Sequence, residues 1–173
     1  HKIALADHFG VPLKGAVTWA FEFEDPPWFY GFRDLATNGV DKPVINVLRM
    51  FGMMCGDRVE VQGNLAYDFL TVRDESVRGG EPDINAFATV GDRSASVMIW
   101  HYHDDNIPGP SVIVALTMAG LPAERVLLNH YRVDQEHSNA YEVWIKMGSP
   151  QNPTDEQYSE LEKAGQLALF TSP

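Results

Sequence analysis

Gly15-Ala16-Val17-Thr18-Trp19-Ala20-Phe21-Glu22-Phe23-Glu24, closed by Asp25-Pro26-Pro27, is the stretch on which the fold of this chain turns. Aromatic and β-branched residues fill it and two prolines end it, so residues 15–24 are predicted as a strand. It is apolar on both faces, as in a parallel sheet whose strands lie between two layers. Residues 28–39 then read as an aromatic loop. Asp41 is placed to cap a helix with Pro43 in its first turn, and Val44, Val47, Leu48 and Phe51 recur at i, i+3, i+4 and i+7 before Gly56 stops it. The first 56 residues therefore read as one β/α unit.

Beyond that unit the apolar period changes to two. Runs at 58–62, 67–73, 84–90, 94–103, 112–118, 125–133 and 141–145 lie between Gly, Asp, Asn and Pro, which is the signature of an antiparallel β-sandwich. Thr154-Asp155-Glu156-Gln157 is a capping box, and Tyr158, Leu161 and Ala164 share one face of the helix it opens. The expected fold is mainly β: a sandwich at 57–148, preceded by the β/α unit at 1–56 and followed by a short helical tail at 149–173.

At 173 residues, 45% hydrophobic and 21% charged, the chain has the balance of a globular protein. It is too short for a complete (β/α)8 barrel, which takes roughly 250 residues. Thirteen Lys and Arg against 24 Asp and Glu give a net charge of -11, so nucleic acid and anionic membrane surfaces are repelled. No apolar run approaches the roughly 20 residues of a membrane-spanning helix. Cys55 stands alone, which excludes an internal disulfide and leaves cytoplasm and periplasm both open. Beside Met53 and Met54 at a helix end, it reads as a buried structural thiol. A chain that opens on His1, with neither Met nor a targeting segment, reads as processed or cut from something longer.

Glu22 and Glu24 lie two apart on the predicted strand and share a face, with Cα atoms about 6.6 Å apart. That approaches the separation of a glycosidase carboxylate pair. Carboxylates on one strand point the same way, however, and an acid and a nucleophile must flank the anomeric centre, so this spacing suits gripping sugar hydroxyls or a solvated strand end. His101, His103 and Asp104, with His130 on a later run, match part of a cupin-type metal set. Ile107-Pro108 stands where that set needs a Glu, and strand-end histidines account for the run equally. Asp134-Gln135-Glu136-His137-Ser138-Asn139 mimics an acid and histidine cluster but has no nucleophile elbow, and reads as a polar loop. Gly79-Gly80-Glu81-Pro82-Asp83 is a turn without phosphate-loop spacing.

Two longer motifs add to this reading. Thr18-Trp19-Ala20-Phe21-Glu22-Phe23-Glu24-Asp25 with Gly31-Phe32-Arg33-Asp34-Leu35-Ala36-Thr37-Asn38-Gly39 resembles glycoside hydrolase family 39, in particular its bacterial β-xylosidases. So does His130-Tyr131-Arg132-Val133-Asp134 with Glu136-His137-Ser138-Asn139-Ala140-Tyr141 and Lys146-Met147-Gly148-Ser149-Pro150-Gln151. The resemblance implies a retaining exo-glycosidase built from a barrel, an accessory sandwich and a helical tail, with residues 1–56 as the last strand and helix of the barrel. It implies an acid/base Glu in an Asn-Glu-Pro context and a nucleophilic Glu on a later strand. Neither context is present; the Glu-Pro at Glu81-Pro82 follows Gly80.

The chain is therefore expected to be the C-terminal part of a β-xylosidase, itself without catalytic residues, metal or cofactor. Glu22, Glu24 and Trp19 are expected to bind xylose or a xylooligosaccharide in the intact enzyme. A β/α unit without its barrel neighbours is expected to form a homo-oligomer or otherwise associate through its exposed surface. The alternative is a sandwich module that binds carbohydrate without cleaving it, or serves only as structure.

Overall fold

The computed structural model describes residues 1–18, 21–23, 25–31, 34–105, 107, 109–122 and 125–170. In chain order its elements are α1 (Lys2–His8), β1 (Ala36–Thr37), β2 (Val40–Asp41), α2 (Pro43–Met53), β3 (Asp57–Val59), α3 (Phe69–Glu75), β4 (Asp83–Val90), β5 (Ala95–Tyr102), α4 (Ala140–Lys146) and α5 (Asp155–Gly165). They fall into two compact units, residues 1–16 with 54–126 and residues 17–53 with 127–173.

The first unit is built on an antiparallel sheet in the order β3-β4-β5. The predicted runs at 84–90 and 94–103 form its long hairpin, registered from Asp83 opposite Tyr102 to Val90 opposite Ala95. Asp83 fastens the start of β4. Fully buried, it accepts from Tyr67 N at 2.9 Å, Trp100 Nε1 at 2.8 Å and His1 Nε2 at 2.8 Å. The run at 58–62 contributes only β3, which pairs with the far end of β4. Gly56, at φ +87, enters β3 so close to β4 that a Cβ there would stand 2.1 Å from Val90 O.

The second unit holds α2, α4, α5 and a two-stranded ribbon, β1 with β2; α4 packs on α5, and α5 on β2. Its core is Val40, Ala140 and Leu161, with Trp28, Phe29, Val143, Trp144 and Tyr158 packed against them. The capping box is present: Thr154 Oγ1 accepts from Gln157 N, and Gln157 Oε1 accepts from Thr154 N.

Only part of the mainly β expectation is met, since helices and small antiparallel sheets share the chain among the described residues. Two expected strands are helical. Of residues 67–73, 69–73 lie in α3, because the Asp68 carboxylate accepts from Leu70 N and Thr71 N, an N-cap that a strand would leave unused. Residues 141–145 lie in α4, where Asn139 accepts from Glu142 N and where Ala140, Val143, Trp144 and Met147 fall at helical spacing on the core. The described residues of 112–118 and 125–133 form no strand beyond a single bridge between Tyr131 and Leu169.

The strand predicted at 15–24 is also not formed over its described residues. Val17 is fully exposed, and Phe21 and Phe23 are about half exposed. A strand apolar on both faces needs paired neighbours on both edges. Among the described residues of this stretch the backbone bonds are those of Phe21 O, which accepts from Leu35 N at 2.8 Å and Ala36 N at 2.9 Å. Helix α2 forms where expected but ends at Met53, and Asp41 belongs to β2 and ion-pairs with Arg49 at 2.7 Å instead of capping. Cys55, expected to be buried, is exposed because α2 stops before it.

Candidate functional site

Glu22 is the candidate residue whose surroundings are described; Trp19 and Glu24 lie outside the described residues. Its position follows from a turn that the aromatic-loop reading passed over. Asn38 at φ 47 and Gly39 at φ 80 are the two central residues of a tight hairpin joining β1 to β2, with Thr37 opposite Val40. Two consecutive positive φ angles are what Asn-Gly accommodates at little cost. The turn presents Gly39 N outward, and it donates to Glu22 Oε1 at 2.9 Å. Glu22 is half-buried, and among the described residues its engaged oxygen is Oε1.

A dense polar scaffold holds this hairpin. Lys42 Nζ, buried, donates to Asp34 Oδ1 at 2.6 Å, to Tyr30 O at 3.0 Å and to Gly31 O at 3.4 Å. Removing a lysine and an aspartate from water is costly, and the pairing together with two carbonyls offsets the cost. Phe29 N donates to Thr37 Oγ1 at 2.9 Å, and the Tyr158 hydroxyl on α5 donates to Asn38 O at 3.2 Å. The Glu22 carboxylate thus rests on a turn tied both to residues 29–31 and Asp34 and to α5. An acceptor held in this way can receive sugar hydroxyls with little further ordering.

The other sequence candidates serve structure. His103 Nδ1 accepts from Asp105 N at 3.0 Å. Asp104 Oδ2 accepts from Val77 N at 2.9 Å, and the Tyr102 hydroxyl donates to Oδ1. Those bonds, the tyrosine's first, hold the Asp104 carboxyl below the usual carboxylate range, while the same contact pushes the Tyr102 phenol up. His130 belongs to the other unit, where its ring meets Phe170 edge-on at 5.1 Å. Among the described residues no three His, Cys, Asp or Glu side chains are grouped to hold a metal ion.

The 134–139 segment is a turn organised by Asp134. Its Oδ1 accepts from Glu136 N at 2.8 Å and His137 N at 2.9 Å and meets His137 Nδ1 at 2.8 Å, while Oδ2 pairs with Arg132 Nε at 2.5 Å. Burial pushes the Asp134 carboxyl up, but these donors together outweigh it, and the group stays below its ordinary range. Asn139 then caps α4.

Comparison with known proteins assigns the arrangement to a family. The family model for glycosyl hydrolases family 39 matches residues 16–168. A β-xylosidase from Caldicellulosiruptor saccharolyticus is 25% identical over 170 residues, which covers 94% of this chain and 32% of that protein. The chain thus spans about a third of the length of that curated relative. No solved structure gives a significant match. The family match takes in Glu22, the Asn38-Gly39 hairpin that supports it and both helices of the C-terminal part, and the chain belongs to family 39 of the glycosyl hydrolases.

Proposed function

We propose that this chain is the C-terminal part of a retaining β-xylosidase and that its Glu22 grips the glycone without exchanging protons with the scissile oxygen. In this reading residues 1–56 are the last strand and helix of a (β/α)8 barrel, 57–148 an accessory sandwich domain and 149–173 the helical tail. The side chains at the C-terminal end of a barrel strand face the sugar. Trp19 and Glu24 flank Glu22 in sequence and join it at the xylose subsite. The observation that carries the reading is the Gly39 N to Glu22 Oε1 bond, which fixes the carboxylate without engaging Oε2 among the described residues.

Val44 and Leu48 sit one helical turn apart on α2 and are nearly half exposed, which supports a partner for this unit in the intact protein or in a second copy. The chain alone lacks an Asn-Glu-Pro acid/base context and is catalytically inactive.

The test is Glu22→Ala in the intact enzyme, assayed on aryl xylosides with good and poor leaving groups. Loss of a glycone acceptor lowers kcat/KM for both by a similar factor, roughly 5- to 160-fold for about 1–3 kcal/mol. A loss confined to poor leaving groups and recovered by azide is the signature of a missing acid/base residue and would contradict the assignment.

A further inference from the structure

We propose that the first unit carries an interface for a second copy of this chain, in which residues 112–118 of each molecule add as a strand to the outer edge of β5 in the other. The sheet order β3-β4-β5 leaves β5 at an edge, and among the described residues its backbone pairs with β4 alone. Natural sheet edges are guarded by charged residues, proline or a bulge. Residues 95–102 hold no proline and no Lys, Arg, Asp or Glu, and their register with β4 runs without a bulge from Ala95 to Tyr102. This edge is open to another strand.

The same unit supplies the occupant. Val112-Ile113-Val114-Ala115-Leu116-Thr117-Met118 is uncharged, rich in β-branched residues and almost as long as β5, which is the composition of a pairing strand. Here it forms none. Every residue from Gly109 to Pro122 is exposed, Ile113 at 98%, and none of them makes a hydrogen bond to another described residue. Gly109 lies against β5, where a Cβ would stand 2.8 Å from His101 Cε1, and Pro110 follows with a fixed φ and no N–H. One chain thus carries a strand-forming segment without an edge and an edge without a strand. Two copies satisfy both needs twice, and such a reciprocal contact closes on a two-fold axis. Charge favours this contact between molecules of net charge -11: neither 107–122 nor 95–102 contains a charged residue, so it adds no local repulsion.

The interface does not depend on the role of Glu22. The experiment is sedimentation of the 173-residue protein over a concentration series, with amide hydrogen exchange at both ends of the series. The expected result is a reversible dimer whose formation protects amides in 112–118 and in β5. Adjacent N–H groups of a strand point to opposite sides, so Val114→Pro and Ala115→Pro between them remove a ladder donor whichever way the strand faces. At least one of the two is expected to weaken the dimer roughly tenfold or more. Both positions are exposed, and far-UV circular dichroism checks that the variants keep the fold. A monomer throughout the series, or a dimer that neither substitution weakens, would overturn the interface. So would protection of 112–118 already in the dilute monomer, which would show the strand pairing within its own chain.

Discussion

Asn46 is fully buried on α2 although it is polar, and its amide explains why. Nδ2 donates to Ser138 O at 3.0 Å and to Gly165 O at 2.8 Å, while Oδ1 accepts from Arg49 Nη1 at 2.9 Å. One side chain thus ties α2 to the turn before α4 and to the end of α5. The apolar periodicity of 44, 47, 48 and 51 pointed to the opposite face as the buried one, because a periodicity count scores Asn as solvent-facing. Nothing in the local pattern distinguishes a solvated Asn from one that satisfies two distant carbonyls. Asn46→Ala leaves both carbonyls buried without a donor, and the expected cost is about 2–4 kcal/mol. Urea unfolding followed by the fluorescence of Trp28 and Trp144 measures it. A wild-type midpoint in this variant would show that water replaces the amide without loss.

At the scale of elements, strong local signals carried over and non-local ones did not. The long β4-β5 hairpin, α2 and the capped α5 were readable because turn residues, periodicity and a capping box each act within a few residues. The strands expected at 67–73 and 141–145 failed for a local reason: Asp68 and Asn139 are N-caps, and a period-two count ignores them. Over the described residues of 15–24 no strand forms, for a non-local reason, since pairing partners cannot be read from the strand itself.

The Asn38-Gly39 hairpin was available in the sequence as a type I′ signal, yet the surrounding aromatics suggested a loop. This element also makes a sharp prediction. Gly39→Ala forces a Cβ into the left-handed region, which costs roughly 1–2 kcal/mol, and places it 2.9 Å from the Tyr158 hydroxyl. The variant is expected to melt several degrees lower. Gly63→Ala, with open space around it and no positive φ, is expected to melt unchanged. Equal melting temperatures for all three proteins would remove the hairpin as the support of Glu22.

For the whole molecule, family membership was readable from two motifs near the ends of the chain, and the match over residues 16–168 joins them. Of the candidate site, Glu22 and its setting are described, while Trp19 and Glu24 lie outside the described residues. Length and charge set the remaining constraints. With 173 residues the chain cannot close an eight-stranded barrel. A net charge of -11 leaves a neutral glycoside as a compatible ligand.

A chain that holds sugar without cleaving it leaves an aryl xyloside intact. The most direct measurement is hydrolysis of p-nitrophenyl β-D-xyloside by the purified 173-residue protein. The expected rate equals that of buffer alone. Turnover that co-purifies with the chain and disappears in Glu22→Gln would contradict it, by making Glu22 a catalytic carboxylate.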